Sequence, residues 1–268
     1  MRSARSVALA LAVAGAPVAR GSEPPIPLQY NLALDASFTA AMGLSIVLLA
    51  VYQPALLPES CRWCTPPALD AAARDALVWK EHARTADTLS TVLDAALPAS
   101  AAGYLLLSAG SRGDVNAGLV DSLLVTEAVA GALLVNQVVK LLVGRERPYA
   151  HFGNDVGYSE SERDLSFYGG HVSFAFSVVA ATVTVASMRG YSGVGIAAGV
   201  GFPLAAAVGY LRIAADQHYL TDILVGSAVG GLLGWAIPRV FHPPVSGSTS
   251  SPAAAARLVA PVGFSGSF

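Results

Sequence analysis

Six long apolar segments constrain the fold of this chain more than any other feature of its sequence. Their approximate limits are Ala36–Leu57, Thr88–Ser108, Val115–Val143, Val172–Met188, Val194–Ile213 and Leu220–Pro238. A membrane-spanning helix needs about 20 mostly apolar residues, and most of the segments reach that length. The chain is 54% hydrophobic and 13% charged, which is unusual for a soluble domain. The sequence therefore predicts an all-α bundle of six transmembrane helices, with a soluble, alanine-rich helical protein as the alternative.

The two ends of the chain differ in composition from the bundle. Residues 1–22 carry two arginines followed by the apolar run Val7–Ala14, a pattern typical of a signal-like leader. Residues 23–240 are expected to form the membrane domain, and residues 241–268, rich in Ser, Pro and Ala, a flexible tail. Between the first two spans, Leu69–Arg84 predicts an amphipathic helix at the membrane surface, with its charges mostly on the solvated face.

Cysteine content and net charge narrow the compartment and the partners. Cys61 and Cys64 are the two cysteines, and no strand–helix pattern of a thioredoxin-like redox pair surrounds them. Zinc would need two further ligands, and His82 is the nearby candidate. A disulfide in an oxidising compartment is favoured over free thiols. The net charge of −2 excludes a general nucleic-acid partner, because no basic surface is available to neutralise phosphates.

A polar stretch from Arg212 to Asp222 interrupts two apolar runs. His218 and Asp222 are four residues apart, so they would share one face of a helix beginning nearby. A carboxylate bonded to one imidazole nitrogen leaves the other nitrogen free to attack an electrophile. Arg212 offers a planar fork suited to a phosphate or carboxylate. The same three residue types near any helix end would look similar.

Two further polar clusters flank the loop between the third and fourth spans. Lys140 and Arg147 are seven residues apart and would point the same way if the helix continued, although basic residues at a span end often only reach toward lipid headgroups. Gly169 and Gly170 precede His171. Glycines before a helix let the backbone approach an anion closely, and His171 would stand beside that anion to give or take a proton.

The order of the spans brings these clusters together. The first cluster closes span three and the second opens span four, so both lie on one side of the membrane. Spans four and five make a round trip, which returns the chain to that side at the third cluster. We therefore expect one pocket to hold the six side chains Lys140, Arg147, His171, Arg212, His218 and Asp222.

These residues resemble the three signatures of the type-2 phosphatidic acid phosphatase superfamily, K-x6-RP, PSGH and SR-x5-H-x3-D. Here the corresponding stretches are 140–148, 169–171 and 212–222. The resemblance implies metal-independent hydrolysis of a lipid phosphate or diphosphate, with no cofactor. His218 would be the nucleophile, Asp222 its orienting partner and His171 the acid and base. Lys140, Arg147, Arg212, Gly169 and Gly170 would bind the phosphate.

Two alternatives to a lipid phosphatase stay open. Gly169 replaces the signature serine, which removes one hydroxyl donor to the phosphate and allows a catalytically weak or non-catalytic lipid-phosphate-binding protein. Vanadium-dependent haloperoxidases share the signatures, but they are typically large soluble proteins.

The resemblance also implies an inner-membrane protein whose pocket faces the periplasm. A disulfide at Cys61–Cys64 agrees with that orientation. A cleaved leader would reverse it, because the mature N-terminus would then start outside.

Overall fold

The computed structural model describes residues 23–57, 60–154 and 157–245. The leader at 1–22 and the tail beyond Val245 lie outside the described residues. The helices within them are α1 (Leu32–Leu56), α2 (Ala68–Leu77), α3 (Ala83–Ser111), α4 (Val115–Val143), α5 (Pro148–His151), α6 (Gly170–Arg189), α7 (Val194–Ala214) and α8 (Leu220–Phe241). A 3₁₀ turn at Glu160–Glu162 precedes α6. The described part of the chain contains no β-strand, which confirms the all-α prediction.

Six of these helices, α1, α3, α4, α6, α7 and α8, are long and apolar enough to cross a membrane. The predicted six spans are therefore confirmed, with changes at their ends. Helix α1 begins at Leu32, four residues before the prediction, because the Asn31 side chain accepts the Leu34 N–H at 3.2 Å and caps the first turn. Helix α3 begins at Ala83, five residues before the predicted start of the second span.

The predicted surface helix Leu69–Arg84 was wrong in its limits; most of its charges are exposed as expected, but two are not. Helix α2 ends at Leu77, where the Trp79 N–H leaves helical geometry to donate to the Ala214 carbonyl at 2.9 Å. Asp70 and Arg74 are buried rather than solvated. Their partners lie on distant segments of the chain, so the local helical pattern could not predict this burial.

Helix α6 is the central element of the bundle and packs against α3, α4, α7 and α8. Its closest approach is to α8, along the stripe Gly226, Gly230 and Gly234. A Cβ at Gly226 would lie 2.8 Å from the Gly169 carbonyl oxygen, and one at Gly234 would lie 2.5 Å from that of Ser177. Small residues allow such backbone contact between membrane helices. This contact holds the first turn of α6 beside the first turn of α8.

We expect Gly230→Ala to destabilise the protein by about 1–3 kcal/mol, the usual range for overpacking. The added Cβ would overlap the backbone carbonyl of Ser173 on α6, and neither backbone can move without separating the two helices. Thermal unfolding in detergent measures the effect. Gly231→Ala is the matched control, because its Cβ would meet only Phe176 Cδ1 at 3.9 Å. Equal unfolding midpoints for the two variants would contradict the packing described here.

Candidate active site

The end of α4 and the starts of α6 and α8 bring the three polar clusters to one end of the bundle. The buried His218 lies within electrostatic range of Arg147, Lys140 and Arg212, and His171 within range of the same cations and of His218. The convergence expected from the order of the spans is therefore present in the fold. Such a pocket, with three cations around two imidazoles, suits a phosphate group.

His218 precedes α8 and is not part of it, so His218 and Asp222 do not share a helical face as the sequence suggested. Tyr219 caps the helix, and its N–H donates to Asp222 Oδ2 at 2.9 Å. This cap turns Asp222 back toward His218, whose Nδ1 lies 3.6 Å from Asp222 Oδ2. The pair is in contact range but longer than a hydrogen bond.

The electrostatics of His218 favour the neutral imidazole. Burial lowers its pKa well below the ordinary value, and Arg147, Lys140 and Arg212 lower it further, while the nearby Ser166 backbone carbonyl opposes them. The ring is therefore unprotonated at neutral pH. An unprotonated nitrogen carries the lone pair that a nucleophile requires.

Asp222 is oriented by side chains from two other segments, and a third segment holds one of these side chains. Its Oδ1 accepts from Arg145 Nη1 at 2.5 Å, and its Oδ2 accepts from Ser166 Oγ at 2.6 Å. Arg145 also donates to Asp70 Oδ2 at 2.6 Å, and Asp70 accepts from the backbone and hydroxyl of Thr221. Helix α2 therefore holds the start of α8 through these buried contacts.

Two aromatic rings enclose the Arg145 guanidinium. Its Cζ lies 3.9 Å from the ring centroid of Trp63 and 4.3 Å from that of Tyr219. Trp63 belongs to the loop that a Cys61–Cys64 disulfide closes, and the Glu146 N–H donates to the Trp63 carbonyl at 3.1 Å. The disulfide loop thus packs directly on the arginine that orients Asp222.

Sequence reasoning did not predict a catalytic role for Arg145, Ser166 or Asp70. The resembling signatures do not include these positions, and the partners of Arg145 are 75 and 77 residues away along the chain. The one signal in the sequence is that Arg145 follows Gly144. A glycine after a span predicts a helix end, and so a bend that turns the next side chain inward.

Lys140 and Arg147 do not lie on one continuous helix, as the sequence suggested they might. Helix α4 ends at Val143, and Gly144 adopts the left-handed conformation, with φ of 56°. Arg147 therefore lies on an extended segment, and its position does not depend on two continued helical turns. Its guanidinium donates to Gln217 Oε1 and, at 2.9 Å, to Glu162 Oε2.

Lys140 and Arg212 complete the cationic lining. Arg212, at the end of α7, bonds Asp87 and, at 3.3 Å, Ser90 Oγ on α3, while its buried Nε has no hydrogen-bond partner within the described part of the chain. Lys140 Nζ lies 3.3 Å from the position of a Cβ built on Gly170. A side chain at residue 170 would therefore enter the space beside Lys140.

The two glycines before His171 have different roles. The Gly169 N–H donates to the Asp222 backbone carbonyl at 3.1 Å, so it is not free to bind a phosphate as the sequence suggested. Gly170 is the first residue of α6, and its N–H has no acceptor within the helix. A Cβ at Gly169 would meet Val172 and Ile223. A serine there would point first at apolar side chains.

His171 lies in the first turn of α6, with its side chain 39% exposed and Nε2 3.8 Å from Asp94 Oδ2 on α3. This position leaves the ring accessible from the pocket, unlike the fully buried His218. The two histidines therefore share the same three cations but differ in exposure: His218 is buried and His171 is partly exposed.

With six helices long and apolar enough to cross a membrane, the chain has the fold of a helical integral membrane protein, and its polar clusters meet at one end of the bundle. The family model of the PAP2 superfamily matches residues 121–245, so this part of the chain is similar to that superfamily.

The crystal structure of a transmembrane PAP2-type phosphatidylglycerolphosphate phosphatase from Bacillus subtilis shares 19% sequence identity with this chain. The match covers 74% of this chain and 93% of that one, with a TM-score of 0.46. No curated protein matches the sequence.

Proposed function

We propose that this protein hydrolyses a lipid phosphate or diphosphate through a phosphohistidine at His218. The observation that carries the proposal is the convergence of an unprotonated, buried His218 with three cations and a second histidine. Phosphoryl transfer needs little beyond positioning and charge stabilisation. These side chains can supply both without a metal ion or cofactor.

In the first step, Nε2 of His218 attacks phosphorus and the bond from phosphorus to the lipid oxygen breaks. Asp222 accepts the Nδ1 proton of His218 in a hydrogen bond, which requires the 3.6 Å separation to shorten; such bonds often tighten when substrate binds. His171 gives its proton to the leaving oxygen.

In the second step, the now neutral His171 removes a proton from water, whose oxygen attacks phosphorus. The bond between phosphorus and Nε2 breaks, inorganic phosphate leaves, and both histidines return to their starting states. One residue acts first as acid and then as base, as microscopic reversibility allows. For a diphosphate substrate, the leaving group in the first step is the lipid monophosphate.

The phosphate oxygens would be held by Lys140, Arg147, Arg212 and the Gly170 N–H. Glu162 and Asp87 currently accept hydrogen bonds from two of these cations, so a bound phosphate would compete with them. Glu162 has a side chain 54% exposed and can turn into solvent at small cost. The competing carboxylates would also favour release of the product.

An apolar cleft between α3, α6 and α7 supports a lipid as the substrate. Its volume is about 460 Å³, and its lining includes Leu93, Leu97, Ala101, Val179 and Leu204. Leu93 and Leu97 flank Asp94, whose carboxylate lies near His171. An acyl or polyprenyl chain in this cleft would place its headgroup beside the histidines.

We expect Ala101→Trp to raise KM for long-chain phosphatidate by about tenfold, because the indole would occupy the cleft that the chain requires; one or two lost methylene contacts cost about 1–3 kcal/mol. The rate with a short, water-soluble phosphate ester should not change. Leu107→Trp is the matched control, since Leu107 is on the same helix and 71% exposed. Equal losses for long and short substrates would contradict this use of the cleft.

The proposed orientation places the site on the periplasmic side of a bacterial inner membrane. The disulfide-closed loop lies at the same end of the bundle as the site, and disulfides persist in oxidising compartments. A reporter fused after Arg112 tests this. Arg112 should lie on the cytoplasmic side, so a reporter that is active only in the periplasm should be inactive at this position. Activity of that reporter would show that the orientation is the opposite one.

The function itself is tested with purified protein in detergent and a chelator. We expect phosphate release from phosphatidate, from a polyprenyl diphosphate, or from both. The second reading, a lipid-phosphate-binding protein without turnover, is favoured by the engaged Gly169 N–H. Tight binding of both lipids with no phosphate release from either would support that reading over hydrolysis.

A further inference from the structure

A second cluster of ligand-type side chains lies at the end of the bundle opposite the proposed phosphatase site. It consists of Asp35 in the first turn of α1, Glu127 on α4 and His242 at the end of α8. One ligand atom from each residue lies within 4.8 Å of the other two. Neither His242 nor Glu127 belongs to the three signature stretches.

We propose that Asp35, Glu127 and His242 bind one divalent transition-metal ion of the zinc class. Carboxylate oxygens and a neutral imidazole nitrogen are ordinary zinc ligands. The site would tie the start of α1 and the end of α8 to α4. It is independent of phosphate hydrolysis, and no catalytic step passes through it.

The orientation of His242 is the first argument for a cation. Its Nδ1 lies 3.1 Å from the Gln29 carbonyl oxygen, which fixes the proton on that nitrogen. Histidines that bind metals commonly donate their other N–H in this way. The lone pair of Nε2 then faces the Glu127 carboxylate, 3.3 Å away, and two such acceptors need a cation between them.

Burial and missing partners are the second argument. His242 is 3% exposed, and neither its Nε2 nor Glu127 Oε2 makes a hydrogen bond of ordinary geometry among the described residues. Two carboxylates and a neutral imidazole would leave two uncompensated negative charges, which is costly in a buried place. A divalent ion neutralises the cluster.

The distances between the ligand atoms suit a small ion once the Asp35 side chain moves closer. Ligand distances of about 2.0–2.2 Å around tetrahedral zinc place the ligand atoms roughly 3.4 Å from one another. The Nε2 and Oε2 atoms already have that separation. The Asp35 carboxylate lies within 4.8 Å of both and would move closer to bind the same ion; its Oδ2 accepts the Asn31 N–H at 2.9 Å. Water would fill the fourth position.

The surrounding backbone explains what such an ion would stabilise. Gln29 donates its N–H to the Pro243 carbonyl at 3.0 Å, and Val245 donates to that of Pro27 at 2.9 Å. These two bonds pair the segment before α1 with the segment after α8. An ion shared by Asp35 and His242 would close the same junction through side chains.

The competing occupant of the cluster is a proton. Burial opposes a charge on His242, but the carboxylates of Glu127 and Asp35 outweigh it and raise its pKa above the ordinary value. Because this pKa is raised, an ion pair without a metal would stabilise the protein at low pH. That stabilisation would be lost as the pH rises past the pKa of His242 in the folded protein. A metal ion would do the opposite, since it competes with protons for Nε2.

The test uses the untagged full-length protein in detergent, stripped with a chelator and titrated with Co²⁺ and Zn²⁺ at pH 8. We expect one Co²⁺ per chain with the visible absorption of a low-symmetry site, and a rise of a few degrees in the unfolding midpoint with Zn²⁺. His242→Gln and Glu127→Gln should each weaken binding at least tenfold. His82→Gln, at an exposed histidine elsewhere, should leave it unchanged.

Either of two results would overturn the proposal. One is that the parent protein binds no stoichiometric metal ion, and that its unfolding midpoint falls as pH rises and does not recover with Zn²⁺. The cluster would then be an ion pair with a protonated imidazole. The other is unchanged binding in the two glutamine variants. Glu127→Gln keeps the test open should His242→Gln fail to fold, because the glutamine amide can still bond the imidazole.

Discussion

His218→Ala should lower kcat by at least about a thousandfold, because loss of a nucleophile removes the covalent route altogether. The three cations stay in place in this variant. Vanadate, an analogue of phosphate, should therefore still bind, although more weakly. Phosphate release from phosphatidate and inhibitor binding measured on the same preparation separate the two effects.

His82→Ala is the matched control for that experiment. His82 is exposed and lies just before α3, outside the candidate site. This substitution should leave both turnover and inhibitor binding unchanged. Turnover of His218→Ala at a tenth of the parental rate or more would exclude His218 as the nucleophile.

The second large effect is expected at Arg145, which we propose as a positioning residue that acts through Asp222. Arg145→Gln would leave two buried carboxylates, Asp70 and Asp222, without their shared cation. Breaking a buried ion pair costs about 3–5 kcal/mol. We expect kcat to fall by about 10- to 100-fold, with KM nearly unchanged because the guanidinium bonds Asp70, Asp222 and Thr221 and is not among the proposed phosphate-binding groups.

The split between kcat and KM separates positioning from a general loss of folding. Arg145→Lys keeps the charge but cannot bridge both carboxylates in the same geometry, so its kcat should lie between the parental value and that of Arg145→Gln. Arg163→Gln is the matched control. Arg163 binds Glu146 in the same loop at 2.8 Å but does not touch Asp222. An unchanged kcat in folded Arg145→Gln would contradict the role assigned to Asp222 orientation.

The six spans were predictable because the cost of exposing backbone groups and charges to lipid selects long, apolar helices. Their exact ends were not. The caps of α1 and α4 depend on Asn31 and Gly144, and the split after Leu77 depends on a bond from Trp79 to Ala214. That bond joins parts of the chain far apart in sequence.

The side chains of the candidate site were predictable as a set, because motif spacing and the order of the spans bring them to one end. Their hydrogen-bond partners were not. Arg145, Ser166 and Asp70 act on Asp222 across three segments, and charge alone made Asp70 look solvated. The Gly169 N–H likewise has a backbone partner that no sequence pattern indicates.

The central claim is that phosphate passes through His218. His171→Ala with p-nitrophenyl phosphate tests it most directly, because nitrophenolate leaves without help from an acid while breakdown of the intermediate loses its base. We predict a stoichiometric burst of nitrophenolate, followed by slow turnover. Mass spectrometry of the trapped protein should find an acid-labile phosphate on His218. No burst, or a phosphate found on another residue, would contradict the account.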